Sequence, residues 1–201
     1  MTEKYPPPAR PIWLASTSRY RRELLGRFRL PFGVEAPDVD ELRIAGENPR
    51  ALAERLALAK AQAVAARHPE ALVIGSDQVC ALGDEVLGKP GTTDRHRAML
   101  ASLSGRTAAF HTAVALVGLD AGVCDQHVDD TRCEFRVLDA GEIDDYVGAE
   151  PALDCAGGFK CEALGVTLLA AFETHDPAAI QGLPLIWLAG ALRRAGALPA
   201  R

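Results

Sequence analysis

The sequence predicts an α/β fold built on a mixed sheet. Short apolar runs alternate with amphipathic helical stretches in the first half of the chain. Two long runs, 106–117 and 123–137, follow one another across a turn at 118–122, which makes them an antiparallel pair on one side of the sheet. The 201 residues suffice for one domain of two lobes with a substantial core. No internal repeat, low-complexity tract or long linker divides them.

The elements follow in order. Residues 1–11 are polar and proline-rich and read as a flexible lead-in to a single domain over 12–197. Ile12-Trp13-Leu14-Ala15 is a short buried strand. Ser18 then caps a helix that runs to about Phe28. Its first turn carries Arg19, Arg21 and Arg22. Cations there oppose the positive end of the helix dipole, and a bound anion would reconcile the two. Residues 32–36 form the next strand. The loop after it is acidic, with Asp38, Asp40 and Glu41.

Asn48 caps and Pro49 opens a strong helix continuing to about His68. Leu52, Leu56, Ala59 and Ala63 make its apolar stripe, with Lys60 at the edge. A lysine there either snorkels to solvent or reaches into a cleft. The stretch 72–90, LVIGSDQVCALGDEVLGKP, starts as a strand and then sets Ser76, Asp77 and Gln78 side by side. An acid at a strand end with Lys89 on the return loop suits a metal and phosphates. A strand followed by an ordinary polar hairpin fits the stretch equally well. Thr93 caps a helix from Asp94 to about Leu103, ended by Ser104-Gly105. His111, inside the first long strand, reads as a packed or hydrogen-bonded residue, not a ligand. A short helix covers 140–147, and a glycine-bearing loop covers 156–162. Asp176-Pro177 marks a turn, and a last amphipathic helix follows Gly182-Leu183-Pro184-Leu185 and ends near Gly196.

The net charge of −5 argues against broad nucleic-acid binding. No run reaches membrane-spanning length and no signal peptide is visible. The five cysteines are odd in number, lack C-x-x-C spacing, and read mostly as small core residues in a reducing, cytoplasmic setting. A zinc site built from them is disfavoured.

Four motifs occur in order: Ser16-x-Ser18-x-x-Arg21-Arg22-x-x-Leu25; Val39-Asp40-Glu41; Gly75-Ser76-Asp77-Gln78-Val79 with Gly88-Lys89-Pro90; and Ala156-Gly157 through Glu162 with Gly182-Leu183-Pro184-Leu185. Together they resemble the Maf family of nucleoside triphosphate pyrophosphatases over nearly the whole chain. The resemblance implies a long mixed twisted sheet flanked by helices, with two lobes and a cleft between them, as in the Maf and inosine-triphosphatase folds. It implies hydrolysis of a nucleoside triphosphate to the monophosphate and diphosphate with a divalent cation, Mg²⁺ or Mn²⁺. Asp77 would be the catalytic residue, as base or metal ligand, and Glu41 would share the metal. Ser16, Ser18, Arg21, Lys60 and Lys89 would contact phosphates. The expected partner is the nucleotide; neither a membrane nor a stable nucleic-acid partner is expected, and a homodimer is left open.

Three positions set the branch. The thymidine/uridine-triphosphate branch carries Arg, Thr and Gln where this chain has Tyr20, Gln78 and Glu162. The latter set resembles the branch acting on 7-methyl-GTP. Methylation gives the guanine ring a positive charge. Tyr20 would stack on it, Glu162 would accept from its N–H edge, and Gln78 offers a donor and an acceptor. Arg19 stands where proline is usual, Tyr20 where tryptophan is more frequent, and Cys161 where serine is expected. A dTTP/UTP pyrophosphatase and a nucleotide-binding regulator of septation are the alternative readings.

Overall fold

The computed structural model describes residues 8–199. The lead-in expected over 1–11 therefore lies largely outside the described residues. Seven strands and five α-helices follow one another as β1 (Ile12–Ala15), α1 (Arg19–Gly26), β2 (Gly33–Glu35), α2 (Pro49–Ala65), β3 (Leu72–Leu82), β4 (Glu85–Leu87), α3 (Thr93–Leu103), β5 (Thr107–Gly118), β6 (Val123–Phe135), α4 (Ala140–Ala149), β7 (Leu169–Glu173) and α5 (Leu185–Arg194).

The seven strands of the described residues lie in one mixed sheet ordered β2-β1-β3-β5-β6-β7, with β4 on β3. β1 is parallel to β2 and β3, and the β3-β5-β6-β7 ladder is antiparallel. The expected hairpin of two long strands is thus present as β5 and β6. No helix of the described residues is long and apolar enough to cross a membrane.

β3 organises the molecule through its period of two. Leu72 and Ile74 join Ile12, Leu14, Leu183 and Leu188 in a core under α1 and α5. Further along the same face, Cys80 and Leu82 join Phe110, Leu100 and Ile143 in a second core under α3 and α4. Ser76 and Gln78 fall between the two cores. On the opposite face, Val73 and Val79 pack against α2 through Ala61, Val64 and Leu56. Each fully buried Leu or Ile contributes about 1.5–3 kcal/mol.

The edges of β3 matter as much as its faces. β1 pairs with it only as far as Gly75, and β4 only from Cys80. The edge of Ser76–Val79 between them is uncovered by any strand of the described residues. That gap opens where the parallel strand β1 ends, which is where ligands enter α/β sheets.

Several expectations need correction. Asp77 is not at a strand end; it lies in the middle of an eleven-residue strand. The buried stripe of α2 is Leu52, Ala53, Leu56, Ala57, Lys60, Ala61, Val64 and Ala65, because the helix is covered on a broad face. Ala59 and Ala63 stand at its margin, half-buried. Thr92, not Thr93, caps α3. α1 stops at Gly26, before Phe28. A capping box, Asp139 with Glu142, starts α4. The edge strand β7 was not foreseen; four of its five residues are exposed, so it shows no alternation. Only Cys80 and Cys133 are fully buried; Cys155 and Cys161 are half-buried and Cys124 is exposed.

Candidate functional site

The site forms around the gap in β3. Gly75 precedes it and admits α2. A Cβ there would stand 2.2 Å from the Ala57 carbonyl oxygen and 2.6 Å from the Ala61 nitrogen. This close approach carries Lys60 onto the next residue of that face, Asp77. Lys60 Nζ donates to Asp77 Oδ1 at 2.6 Å and lies 2.6 Å from Glu41 Oε1. Lys60 is 5% and Asp77 8% exposed, so each buried charge is stable only because the other is present.

Glu41 reaches in from the acidic loop. Its partial burial opposes ionisation, but the hydrogen bond and charge of Lys60, aided by Lys89 and Arg21, outweigh it and hold the carboxyl below its usual range. Lys60, expected as a phosphate contact, is thus engaged by both carboxylates expected to hold the metal.

Across the gap, α1 begins. Ser18 caps it, its Oγ accepting from Arg21 N at 3.4 Å, and Ser16 Oγ accepts from Ser18 N at 3.1 Å. Both hydroxyl hydrogens remain available to an anion, since neither serine donates a side-chain hydrogen bond among the described residues. Of the three arginines in this turn, only Arg21 points inward. Its Nε donates to the Gly182 carbonyl at 2.9 Å. Burial pulls its guanidinium down, opposed by Asp77 and Glu41, yet an arginine stays charged throughout the working range. Arg22 is exposed. Arg19 lies over the Tyr20 ring, 4.7 Å from its centroid, and donates to the Tyr20 hydroxyl at 2.7 Å. A cation already stacks on Tyr20, so a base would have to take the ring's remaining surface. Burial pushes the Tyr20 hydroxyl up to about 12.

Two cavities meet here. A cleft of about 720 Å³ is lined by Ser16, Ser18, Arg21, Glu41, Lys60, Asp77 and Lys89. A smaller pocket of about 110 Å³ is lined by Tyr20, Gln78, Phe110, Phe159, Lys160 and Glu162. Tyr20, Arg21, Gln78 and Lys89 border both. Every expected site residue therefore lies on one cavity or the other.

Gln78 needs correction in its chemistry. Its Nε2 donates to the carbonyls of Ala179 and Ile180 at 3.0 and 2.9 Å and approaches Thr112 Oγ1 at 3.0 Å. Backbone carbonyls only accept, so the amide nitrogen is committed and Oε1 alone is free for a ligand. The carbonyls are held in place by Asp176, which accepts from the Ala178 and Ile186 nitrogens. Ser76 adds a hydrogen bond to Gly182 O at 2.9 Å. His111 is hydrogen-bonded to Asp130 at 2.6 Å, as its reading as a hydrogen-bonded residue of the strand expected.

Sequence reasoning missed Lys160, Asp154 and the two phenylalanines of the pocket; only the nearness of Lys160 to Glu162 hinted at any of them. Among the described residues no cluster of three or more His, Cys, Asp or Glu side chains could hold a metal. The donor set is instead two carboxylates sharing one ammonium. Two hard oxygen ligands suit Mg²⁺ or Mn²⁺, which keep waters and take the rest of their shell from substrate phosphates. The Lys60 ammonium lies between Glu41 and Asp77 and offsets their charge.

Comparison with known proteins gives the site its context. Residues 11–195 match the model of the family described as Maf-like protein. A protein of Xanthomonas campestris pv. campestris (strain 8004) is 56% identical over 91% of this chain and 95% of its own length. One from Polaromonas sp. (strain JS666 / ATCC BAA-500) is 53% identical over 94% and 87%. One from Aromatoleum aromaticum (strain DSM 19018 / LMG 30748 / EbN1) is 53% identical over 92% and 95%. Each of these relatives is named 7-methyl-GTP pyrophosphatase. The chain belongs to the Maf family.

Proposed function

We propose that this protein is a nucleoside triphosphate pyrophosphatase that hydrolyses 7-methyl-GTP to 7-methyl-GMP and diphosphate, removing a modified nucleotide from the pool. One observation carries the reading: a cleft of paired carboxylates and cations opens at Tyr20 and Gln78 into a pocket bearing a free carboxamide oxygen and the Glu162 carboxylate. The names of the relatives agree with it.

The triphosphate would lie along the cleft, on the Ser16 and Ser18 hydroxyls, Arg21, Lys60 and Lys89. Water attacks the α-phosphorus, the α–β bridging bond breaks, and diphosphate leaves. Asp77 Oδ1 is held by Lys60, so its other carboxylate oxygen is the one to orient the water and take its proton. Arg21 and Lys89 neutralise charge on the departing diphosphate. A Mg²⁺ or Mn²⁺ ion, held by Glu41 and Asp77, would polarise the phosphoryl oxygens. In the pocket, Gln78 Oε1 and Glu162 accept from the donor edge of guanine. Glu162 also offsets the positive charge that N7-methylation creates.

We read the five free cysteines as fitting a reducing, cytoplasmic setting, residues 12–197 as one domain, and a homodimer as a matter for size-exclusion chromatography. A nucleotide panel with magnesium tests the function. Turnover of 7-methyl-GTP should exceed that of GTP, dTTP and UTP; equal turnover would sink the substrate assignment. A dTTP/UTP preference is disfavoured by the acceptor-only face of Gln78 and the acid at position 162.

A further inference from the structure

The pocket holds a cation that the scheme above does not use. Lys160 and Glu162 are charged residues that line the small pocket and not the cleft. Lys89 and Arg21, by contrast, border both cavities and can serve phosphates. Among the described residues Lys160 forms no ion pair. Its charge is near enough to help lower the neighbouring Cys155 thiol against the dominant effect of burial.

The backbone of Lys160 is fixed from three sides. Its N–H donates to the Tyr146 hydroxyl at 3.1 Å, and its carbonyl accepts from Ala163 N at 3.1 Å. Gly165 folds back onto it so closely that a Cβ would stand 2.5 Å from the Lys160 carbonyl oxygen. Two residues earlier, the Gly158 carbonyl accepts from His96 Nε2. His96 is fully buried and its Nδ1 lacks a partner, so the ring is neutral and Nε2 is its donor. This much anchoring presents a side chain at a defined place in the pocket wall.

A lone ammonium beside a cationic base is repulsive unless the base offers it an acceptor. Guanine offers one, the 6-keto oxygen, on the same edge as the N–H groups assigned above to Glu162 and Gln78. Adenine would instead present an amino group, donor against donor. We propose that Lys160 is a specificity-determining residue that donates to the 6-keto oxygen and selects 6-keto over 6-amino purines. The proposal rests on the reading that the pocket takes a purine base.

The test compares wild type, K160M and K160Q on 7-methyl-GTP and on the 7-methyl-2,6-diaminopurine riboside triphosphate, in which an amine replaces the keto oxygen. K160M should lose about tenfold or more in kcat/KM on the keto substrate, mainly through KM, and lose nothing on the amino analogue. K160Q keeps an N–H donor and should recover part of the loss. An unchanged keto substrate, or an equal loss on both, would overturn the assignment; the second result would make Lys160 a phosphate contact or a prop for the loop. If the wild type turns over no 7-methylated nucleotide, the substrate reading has failed. The same comparison on GTP and 2,6-diaminopurine riboside triphosphate then still decides the role of Lys160.

Discussion

Asp77 and Gln78 are consecutive, yet they work on opposite faces of β3. Asp77 turns toward α2, where Lys60 and Glu41 surround it with charge. Gln78 turns toward the loop before α5, where two backbone carbonyls hold its amide. The first environment is ionic, and its partners both lie upstream, Lys60 seventeen residues earlier and Glu41 on the loop before α2. The second is neutral, and its partners lie about a hundred residues downstream. Under the proposed function, the difference teaches how one strand would separate reaction from recognition. The pleat sends adjacent side chains apart, so the residue proposed to react and the residue proposed to read the base can be tuned independently, while the gap between β1 and β4 leaves both on one cleft.

The separation can be broken or sharpened by substitution. The largest effect is expected at Asp77. Asp77→Asn should lower kcat by about 10²–10⁴-fold on every nucleotide while leaving the ranking of nucleotides by affinity unchanged. Calorimetric titration beside a rate assay reads both; an altered ranking would mean that the two faces are not independent. Gly75→Ala comes next. The added methyl must push α2 away, with a destabilisation of about 1–3 kcal/mol in urea unfolding. It should also lower turnover, because Lys60 is drawn off Asp77; a stable, fully active variant would show that the close approach of α2 is dispensable.

On the other face, Glu162→Gln should cut the preference for 7-methyl-GTP over GTP by about tenfold, the worth of one charge-assisted hydrogen bond, with little change in kcat. A fall in kcat alone would place Glu162 with the reacting groups. The smallest effect concerns pH. The Glu41 carboxyl is depressed in the folded protein from an ordinary value of 4.5. Its contribution to stability is therefore present above that value and is lost as pH falls through the lower, folded one. Glu41 is largely exposed, so solvent screening keeps the contribution below about 1 kcal/mol. Unfolding midpoints of wild type and Glu41→Gln should converge as pH falls below about 4.5. Midpoints that stay parallel would deny the Glu41–Lys60 pair any role.

The local elements were legible in the sequence. β1 and the caps at Ser18 and Asn48 are written in a few adjacent residues, as is the start of α5 after Gly182-Leu183-Pro184. The motif residues that now line the two cavities were also legible, as a set. Less legible was β3: an aspartate after Leu72-Val73-Ile74 reads as the strand's end, because nothing nearby in sequence discharges it. Lys60, seventeen residues earlier, is what allows the strand to continue. β7 was hidden for a different reason. An exposed edge strand carries no alternation to read.

The sequence by itself determined which residue types are at hand: hydroxyls and arginines at a helix start, two acids, two lysines, and the Tyr20, Gln78 and Glu162 set. Local chemistry is enough for that, since caps, turns and motifs act over three to five residues. Only the tertiary structure decided how they are spent. It engaged Lys60 between Glu41 and Asp77, turned Arg21 inward and Arg22 outward, and stacked Arg19 on Tyr20. It also left Gln78 with a single free oxygen and set Lys160 in the pocket wall. These outcomes depend on which distant groups a buried polar atom must satisfy, and a side chain's neighbours in sequence do not name them.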